Sequence, residues 1–270
     1  MDYVYATLLG IVQGLTEFLP VSSSAHLILA REFFGWDAQG LGLAFDVATH
    51  VGTLAAILYY FRAELWPLVA AGPGALIGGG GERGHTVRLV IAGTIPIVML
   101  GLLADLDWLE RLRQPAVCAT TLTFGAILMM VAERVRATSR GDQDITTGEA
   151  FAIGVGQAAA LFPGMSRSGT TISIAMLMGI RREAAARFTF LMSIPAVMAA
   201  AGREAVALRG VTLDASMVAM FGVGIAVAGV VGYLTVKYLI RYLAHNSLDV
   251  FAYYRFALAG AVVAWLVMRS

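Results

Sequence analysis

Two short segments of the chain place ionisable and hydroxyl side chains inside otherwise apolar stretches. In the first segment, Gln13 and Glu17 are four residues apart, a spacing that puts them on one face of a helix. A carboxylate in an apolar stretch is costly, so Glu17 is a candidate functional group. Ser23 and His26 follow, three residues apart, and offer a nucleophile beside a proton carrier. This segment therefore predicts acid–base or nucleophilic chemistry.

The second segment adds a positive charge, because Arg167 lies just after a Pro-Gly pair and among hydroxyl residues. A guanidinium presents a fixed fork of donors that fits phosphate oxygens. Hydroxyls and backbone N–H groups at the start of a helix also favour an anion. The hydroxyl residues predicted to bind phosphate beside Arg167 are Ser22, Ser24, Ser166, Ser168 and Thr171. In the alternative interpretation, Arg167 and Glu17 form a purely structural ion pair.

Other polar residues are weaker candidates. Asp46 and His50 are one helical turn apart and are secondary candidates to line a cavity or bind a cation, and Gln13 is a further secondary candidate for the site. Two residues are too few to define a metal site by spacing alone. The glycine-rich region 72–84 lacks the Gly-Lys-Ser/Thr ending of a nucleotide-binding loop, so it is predicted to be an ordinary loop.

The composition predicts that these segments lie in a membrane. The chain has 270 residues, of which 59% are hydrophobic and only 14% are charged, whereas soluble domains have about a quarter charged residues. The formal net charge of +1 supplies no basic surface, so no nucleic-acid partner is expected. The sequence is that of an integral membrane protein.

Six apolar stretches are long enough to cross about 30 Å of hydrocarbon as helices. They are residues 44–61, 87–104, 116–132, 187–203, 214–235 and 250–268. Two further stretches, 4–30 and 148–180, are interrupted by polar, helix-breaking centres, and paired interruptions of this kind indicate a site near the membrane midplane. The prediction is an all-α polytopic membrane protein with six transmembrane helices and two re-entrant broken helical hairpins. Two ordinary kinked spans are the alternative.

The interrupted stretches also indicate an internal repeat. A shift of 144 residues superposes five pairs of identical residues: Gly10 and Gly154, Gln13 and Gln157, Phe18 and Phe162, Ser22 and Ser166, and Ser24 and Ser168. The polar linker 138–148 lies between the halves. The chain is thus predicted to be a single transmembrane domain, 1–270, with a first repeat, 1–140, and a second repeat, 146–270, that is inverted because each half crosses the membrane three times.

Basic residues predict the orientation. Eleven fall on one side of this topology: Arg62, Arg83, Arg88, Arg134, Arg136, Arg140, Arg181, Arg182, Arg187, Lys237 and Arg241. Six fall on the other: Arg31, Arg111, Arg113, Arg203, Arg209 and Arg269. Because cytoplasmic loops carry the excess of positive charge, both termini and the first hairpin are expected to face outward.

The motifs that hold these residues resemble those of a known family. Residues 13–26, QGLTEFLPVSSSAH, and residues 163–171, PGMSRSGTT, are similar to the two signature motifs of the bacterial undecaprenyl-diphosphate phosphatases of the bacitracin-resistance type. The resemblance implies hydrolysis of undecaprenyl diphosphate to undecaprenyl phosphate and inorganic phosphate at an outward-facing site of the bacterial inner membrane. This reaction recycles the lipid carrier for cell-wall synthesis and confers bacitracin resistance. The resemblance also implies a homodimer.

Motif position assigns roles by resemblance. The acidic motif of the family falls on Gln13 and Glu17, its serine on Ser23, its histidine on His26 and its arginine on Arg167. Gln13 cannot act as a base or a strong metal ligand, which leaves Glu17 for that role. The expected mechanism has Ser23 attack the terminal phosphorus while His26 exchanges protons. Glu17 then orients His26, or binds a divalent cation such as Mg²⁺ or Ca²⁺ together with the diphosphate. His26 as nucleophile is an open alternative.

Two other classes of function also stay open. Inverted repeats with broken helices at the midplane are typical of transporters, so the chain could instead be a flippase of the polyprenyl phosphate carrier. A weaker alternative is a structural membrane partner with no site. Phosphate release in detergent separates a hydrolase from a carrier, because only a carrier needs a sealed bilayer.

Overall fold

The computed structural model describes residues 3–35, 42–104, 108, 111–134, 139–207 and 214–269. Arg136, Thr138 and Arg209, used above to define orientation and linker, lie outside the described residues, as does the side chain of Arg203. The helices are α1 (Tyr3–Thr16), α2 (Ser23–Phe34), α3 (Gly42–Tyr60), α4 (Arg62–Leu76), α5 (Gly81–Leu103), α6 (Pro115–Arg134), α7 (Thr147–Ala159), α8 (Arg167–Leu177), α9 (Arg182–Ala207), α10 (Ala215–Leu243) and α11 (Asp249–Arg269). The described ranges also contain one short 3₁₀ helix, Asp142–Asp144, and no strand. The predicted all-α polytopic membrane protein is confirmed.

Five of the described helices are long and apolar enough to span a membrane: α5, α6, α9, α10 and α11. They coincide with five of the six predicted spans. The remaining stretch, 44–61, forms α3, which turns by 86° into α4. The described residues therefore contain five spanning helices, or six when the bent pair α3–α4 counts as one span.

Helix α4 is a difference from the sequence prediction. The loop expected at residues 72–84 is wrong, because α4 continues to Leu76 and α5 begins at Gly81. Only residues 77–80 separate the two helices. Pro67 and Pro73 lie inside α4, where proline and glycine disfavour a helix. Packing of α4 along α5 overrides that local preference.

Each interrupted stretch forms a helical hairpin. A first break, residues 17–22, separates α1 from α2, and a second break, residues 160–166, separates α7 from α8. The arms pack on each other: Leu9 and Leu27 belong to one apolar cluster, and a Cβ on Gly156 would lie 2.2 Å from Cδ1 of Ile174. The hairpins exist as folded units, while their re-entry into a membrane stays a prediction.

The two breaks end in the same local structure. Ser22 and Ser166 are the N-caps of α2 and α8, with positive φ angles of 75° and 66°. In the described part of the chain they are the only non-glycine residues with positive φ. Each Oγ accepts a hydrogen bond from the N–H three residues later, in Ala25 and Gly169 respectively. This likeness agrees with the 144-residue shift, although the repeat boundaries and the inversion stay predictions.

The hairpins pack mainly against helices of the opposite half. Helix α1 lies along α10, and α7 lies along α5. Glycines make both approaches close: a Cβ on Gly154 would lie 2.2 Å from the carbonyl oxygen of Gly93, and one on Gly10 would lie 2.9 Å from that of Gly224. Small residues at such interfaces are typical of helices in lipid, where close packing replaces the hydrophobic drive. Helices from both halves therefore position the two breaks.

Candidate active site

Both breaks line one cavity of about 300 Å³, and residues of α3, α5 and α9 complete its walls. Its polar lining residues are Thr16, Glu17, Ser22, Ser23, Ser24, Asp46, His50, Arg113, Ser166 and Arg167. The rest of the wall is largely apolar, with side chains such as Leu27, Val47, Ile97 and Val197. The fold thus brings the two predicted motifs together in one polar cavity with an apolar surround.

Glu17 is the centre of the hydrogen-bond network in this cavity. Its Oε1 accepts from Nη2 of Arg167. Its Oε2 accepts from Oγ of Ser23 at 2.7 Å and from Nε2 of Gln13 at 3.0 Å. Nε2 of His50 lies 3.4 Å from the same oxygen. An imidazole, a hydroxyl and a guanidinium therefore all surround the same carboxylate.

The ion pair kept as the structural alternative is present, but it is open to the cavity. The side chain of Arg167 is 19% exposed, whereas that of Glu17 is 5% exposed. Among the described residues, one nitrogen of the Arg167 guanidinium donates to a protein group, out of the five N–H donors that a guanidinium carries. The remaining donors are available to an anion that enters the cavity.

His26 does not join this network. Its Nδ1 lies 2.7 Å from the carbonyl oxygen of Ser22, and its Nε2 lies 2.7 Å from Oη of Tyr254, on which its ring also stacks. His26 is not among the described residues that line the cavity. The predicted contact between Glu17 and His26 is not formed, because the cap carbonyl and a residue of α11 hold the imidazole elsewhere. The role of His26 in the reaction stays a prediction.

His50 supplies the imidazole that reaches Glu17. Its Nδ1 lies 2.7 Å from the carbonyl oxygen of Asp46. Because a carbonyl only accepts, Nδ1 carries the proton and Nε2 is directed to Glu17. Sequence spacing ranked His50 below His26, since spacing along one helix cannot show that α3 lies beside the first break.

Asp46 is held by two arginines. Its Oδ2 accepts from Nη1 of Arg31 at 2.9 Å and from Nη2 of Arg113 at 3.0 Å. Arg113 lines the cavity, a position that sequence reasoning missed, because a loop arginine before α6 gives no local signal of its partner. The cavity therefore contains two guanidiniums, those of Arg113 and Arg167, and Asp46 is occupied rather than poised for a cation.

Three of the predicted phosphate-binding hydroxyls line the cavity, those of Ser22, Ser24 and Ser166. The Oγ of Ser22 lies 3.1 Å from that of Ser24. The Oγ of Ser24 accepts from the N–H of Gly164 at 3.3 Å and so ties the two breaks together. These hydroxyls stand where an anion would meet the starts of α2 and α8.

The other two predicted hydroxyls face away from the cavity. Oγ of Ser168 donates to the carbonyl oxygen of Leu19 at 3.2 Å. Oγ1 of Thr171 donates to the carbonyl oxygen of Arg167 at 2.7 Å. Both side chains are buried, and only Ser168 approaches a cavity residue, with its Oγ 3.4 Å from that of Ser166. The structure therefore does not bring Ser168 and Thr171 to the place where phosphate would lie.

Fold and cavity together define a class: a polytopic helical membrane protein with a polar cavity equipped for an anionic group and for proton transfer. The family described as Bacitracin resistance protein BacA matches residues 6–261, and this chain belongs to that family. It is 44% identical over 271 residues to the undecaprenyl-diphosphatase of Rubrobacter xylanophilus, covering 99% of this chain and 100% of that protein. It is 40% identical over 266 residues to the undecaprenyl-diphosphatase of Saccharophagus degradans, covering 98% of each. The resemblance drawn from the two motifs is confirmed.

Proposed function

We propose that this protein hydrolyses undecaprenyl diphosphate to undecaprenyl phosphate and inorganic phosphate. The convergence of both motifs on one cavity, with Glu17 in contact with Ser23 and Arg167, carries the proposal. Two further relatives, about as similar as those above, are named undecaprenyl-diphosphatase and match this chain over nearly their full length. Hydrolysis returns the lipid carrier to cell-wall synthesis and confers resistance to bacitracin.

Ser23 is the nucleophile in this proposal. Its Oγ donates to Oε2 of Glu17 at 2.7 Å, so the carboxylate accepts the hydroxyl proton as Oγ attacks the terminal phosphorus. The bond from that phosphorus to the bridging oxygen breaks, and undecaprenyl phosphate leaves with the electron pair. Glu17 releases the hydroxyl proton to solvent and then takes a proton from the water that attacks the phosphoserine. The bond between phosphorus and Oγ of Ser23 breaks, Glu17 passes a proton to Oγ, and inorganic phosphate leaves. The alternative nucleophile, His26, has both ring nitrogens engaged by Ser22 and Tyr254.

Two guanidiniums hold the diphosphate. Arg167 and Arg113 line the same cavity, and each offers paired donors to phosphate oxygens. A phosphate that binds Arg167 competes with Glu17 for the guanidinium and leaves the carboxylate available as a base. The hydroxyls of Ser22, Ser24 and Ser166 complete the oxygen contacts. Positive charge placed beforehand around the transferred group stabilises the transition state.

A divalent cation remains part of the expectation. The described residues contain no group of three or more His, Cys, Asp and Glu arranged to hold a metal ion. Glu17 already accepts from Arg167, Ser23 and Gln13. This donor set fits a protein-bound metal poorly, so Mg²⁺ or Ca²⁺ would arrive with the diphosphate, and no step above depends on it.

An apolar cavity is lined by two of the helices that line the polar one, and it suits the polyprenyl chain. It has a volume of about 470 Å³ and lies between α4, α5 and α9. Both cavities use α5 and α9: Ile97 and Val197 line the polar one, whereas Val98 and Ile194 line the apolar one. Lipid is as apolar as this lining, so close packing against the side chains, rather than transfer from water, holds a hydrocarbon chain there. In this proposal the chain of the substrate lies in the apolar cavity while the diphosphate lies in the polar one.

Phosphate release tests the function. Purified protein in detergent, given undecaprenyl diphosphate, is expected to release inorganic phosphate without a sealed bilayer. A flippase would release none and would move polyprenyl phosphate only across intact vesicles, an outcome that overturns the proposal. Parallel reactions with EDTA, and with Mg²⁺ or Ca²⁺ restored, decide the cation. An Arg140→Gln variant serves as control, because Arg140 pairs with Glu149 outside the cavity.

Orientation and assembly belong to the same proposal. The cavity faces outward from the inner membrane, both termini lie outside, and the protein is a homodimer. Single cysteines introduced in the polar linker 138–148 and next to Gln114 test the orientation. They are labelled with an impermeant maleimide in intact cells, where the native Cys118 does not interfere because it is buried. Only the cysteine beside Gln114 is expected to react. Light scattering of the detergent-solubilised protein tests the homodimer.

A further inference from the structure

A buried arginine in α11 binds the backbone of both breaks. The side chain of Arg255 is 0% exposed, and within the described residues it forms no ion pair with a carboxylate. Its six hydrogen bonds reach five carbonyl oxygens: Nε to Leu122 at 3.1 Å, Nη1 to Pro20 at 3.3 Å and Met165 at 3.2 Å, and Nη2 to Thr121 at 3.1 Å, Gly164 at 2.9 Å and Met165 at 3.1 Å. A buried charge without a counter-ion is costly, so its retention here needs a functional reason.

The carbonyls belong to three separate parts of the chain. Pro20 lies in the first break, Gly164 and Met165 lie in the second break, and the other two carbonyls lie in α6. A Cβ on Gly125 of α6 would lie 2.1 Å from Nη2 of Arg255, so only glycine leaves room for the guanidinium. One side chain thus fastens both breaks to α6 and to each other.

These bonds also fix how the peptide groups of the breaks are turned. In a trans peptide the C=O and the following N–H point in opposite directions, and the described residues contain no cis peptide. Holding the Met165 carbonyl on Arg255 therefore turns the N–H of Ser166 away from Arg255. Ser166 lines the cavity, so its amide becomes a donor on the cavity side.

We propose that Arg255 is a positioning residue, which binds the carbonyls of both breaks and thereby sets Ser23 and Glu17 opposite Arg167 and presents the backbone N–H of Ser166 to the diphosphate. Arg255 itself does not line the cavity. This proposal depends on the proposed hydrolysis only because its kinetic test measures that reaction.

Two variants remove the guanidinium from its place by different means. Arg255→Met deletes it, whereas Gly125→Ala leaves the arginine in the chain and displaces it. Both are expected to lower kcat about 10- to 100-fold, since small misplacements of reacting groups have effects of that order, and also to raise KM, because the backbone donor for the diphosphate moves with the break. Arg255→Lys keeps the charge but has one nitrogen for five carbonyls, so it recovers part of the lost kcat.

A matched control lies on the same helices. Glu133 of α6 accepts from Nε of Arg182 at 2.8 Å and from the N–H of Leu248 at 2.7 Å, away from the breaks. Glu133→Gln is expected to lower the melting temperature while the folded protein keeps its kcat and KM.

If Gly125→Ala and Arg255→Lys both keep kcat and KM within twofold in their folded fraction, the positioning role is refuted. Binding of inorganic diphosphate by the purified protein is a second readout that needs no turnover. Wild-type protein that releases no phosphate overturns the proposed function alone. In that case the role of Arg255 is overturned if Gly125→Ala and Arg255→Lys both bind diphosphate with the wild-type affinity. The role is supported if their affinity for diphosphate is lowered at least tenfold.

Discussion

Glu17 and Arg167 are 150 residues apart in sequence and form an ion pair between two different hairpins. Each hairpin alone carries one charge of the pair, so neither break contains a complete site. The pair lines the cavity rather than the packed core. An anion that enters meets a guanidinium whose partner carboxylate already accepts from Ser23.

The pair predicts a large loss of turnover when either member is removed. Arg167→Ala should lower phosphate release at least about 100-fold, because the cation that stabilises the transferred phosphate is lost. Glu17→Gln should lower it at least about 100-fold through loss of the base for Ser23. Steady-state hydrolysis in detergent measures both.

The neutral double variant Glu17→Gln/Arg167→Gln separates catalysis from structure. A purely structural pair predicts near-normal hydrolysis in that variant, since a neutral pair can replace a buried ion pair at little cost in stability. The catalytic interpretation predicts a loss at least as large as in the single variants. Arg140→Gln, at a half-buried pair with Glu149 outside the cavity, should leave kcat unchanged.

The two histidines predict different losses of turnover. His50→Gln removes the imidazole that lies 3.4 Å from Oε2 of Glu17, so kcat/KM for phosphate release should fall at least about tenfold. His26→Gln loses the contact with Tyr254 and should lower kcat/KM by a smaller factor. A larger loss for His26→Gln than for His50→Gln would return the proton-carrier role to His26.

The positive φ of the N-cap serines predicts a ranking of stabilities. At Ser22, with φ of 75°, alanine loses the cap at a cost of about 0.5–2 kcal/mol and stays in a disfavoured backbone region. Glycine loses the same hydroxyl, yet it adopts positive φ without strain. Melting temperatures should therefore fall in the order wild type, Ser22→Gly, Ser22→Ala, with the same order for Ser166. Equal melting temperatures for the glycine and alanine variants would contradict a role for backbone strain.

The apolar cavity predicts an effect that depends on the length of the substrate chain. Val98→Trp fills part of the cavity and should raise KM for undecaprenyl diphosphate at least about fivefold, because the substrate chain loses packing contacts with the side chains there. KM for a soluble short-chain prenyl diphosphate should stay within twofold. Val230→Trp, on the exposed face of α10, is the control. An equal rise for both substrates would place the chain elsewhere.

Much of the fold could be predicted because lipid imposes simple requirements. Apolar length alone located five spanning helices and α3. Glu17 and Arg167 were identifiable because each places a charge within an otherwise apolar stretch. Their hydroxyl neighbours mark the starts of new helices. Helix α4 was not predicted, because its prolines and glycines disfavour a helix and only packing on α5 maintains it.

Some residues of the site could not be predicted from the sequence, because their positions depend on contacts between distant segments. His50, rather than His26, lies beside Glu17 because α3 lies beside the first break. Arg113 reaches the cavity from a loop. Arg255 did carry a signal, a charge within the span 250–268. Its partners are backbone carbonyls, which have no signature in side-chain spacing.

The exchange of helices between halves has a consequence for biosynthesis. Helix α1 leaves the ribosome well before α10, along which it lies. The glycine-lined face of α1 must therefore wait for its permanent neighbour until α10 has been made. The nascent polypeptide enters the bilayer without a complete catalytic centre and gains one only when the later helices pack around α1.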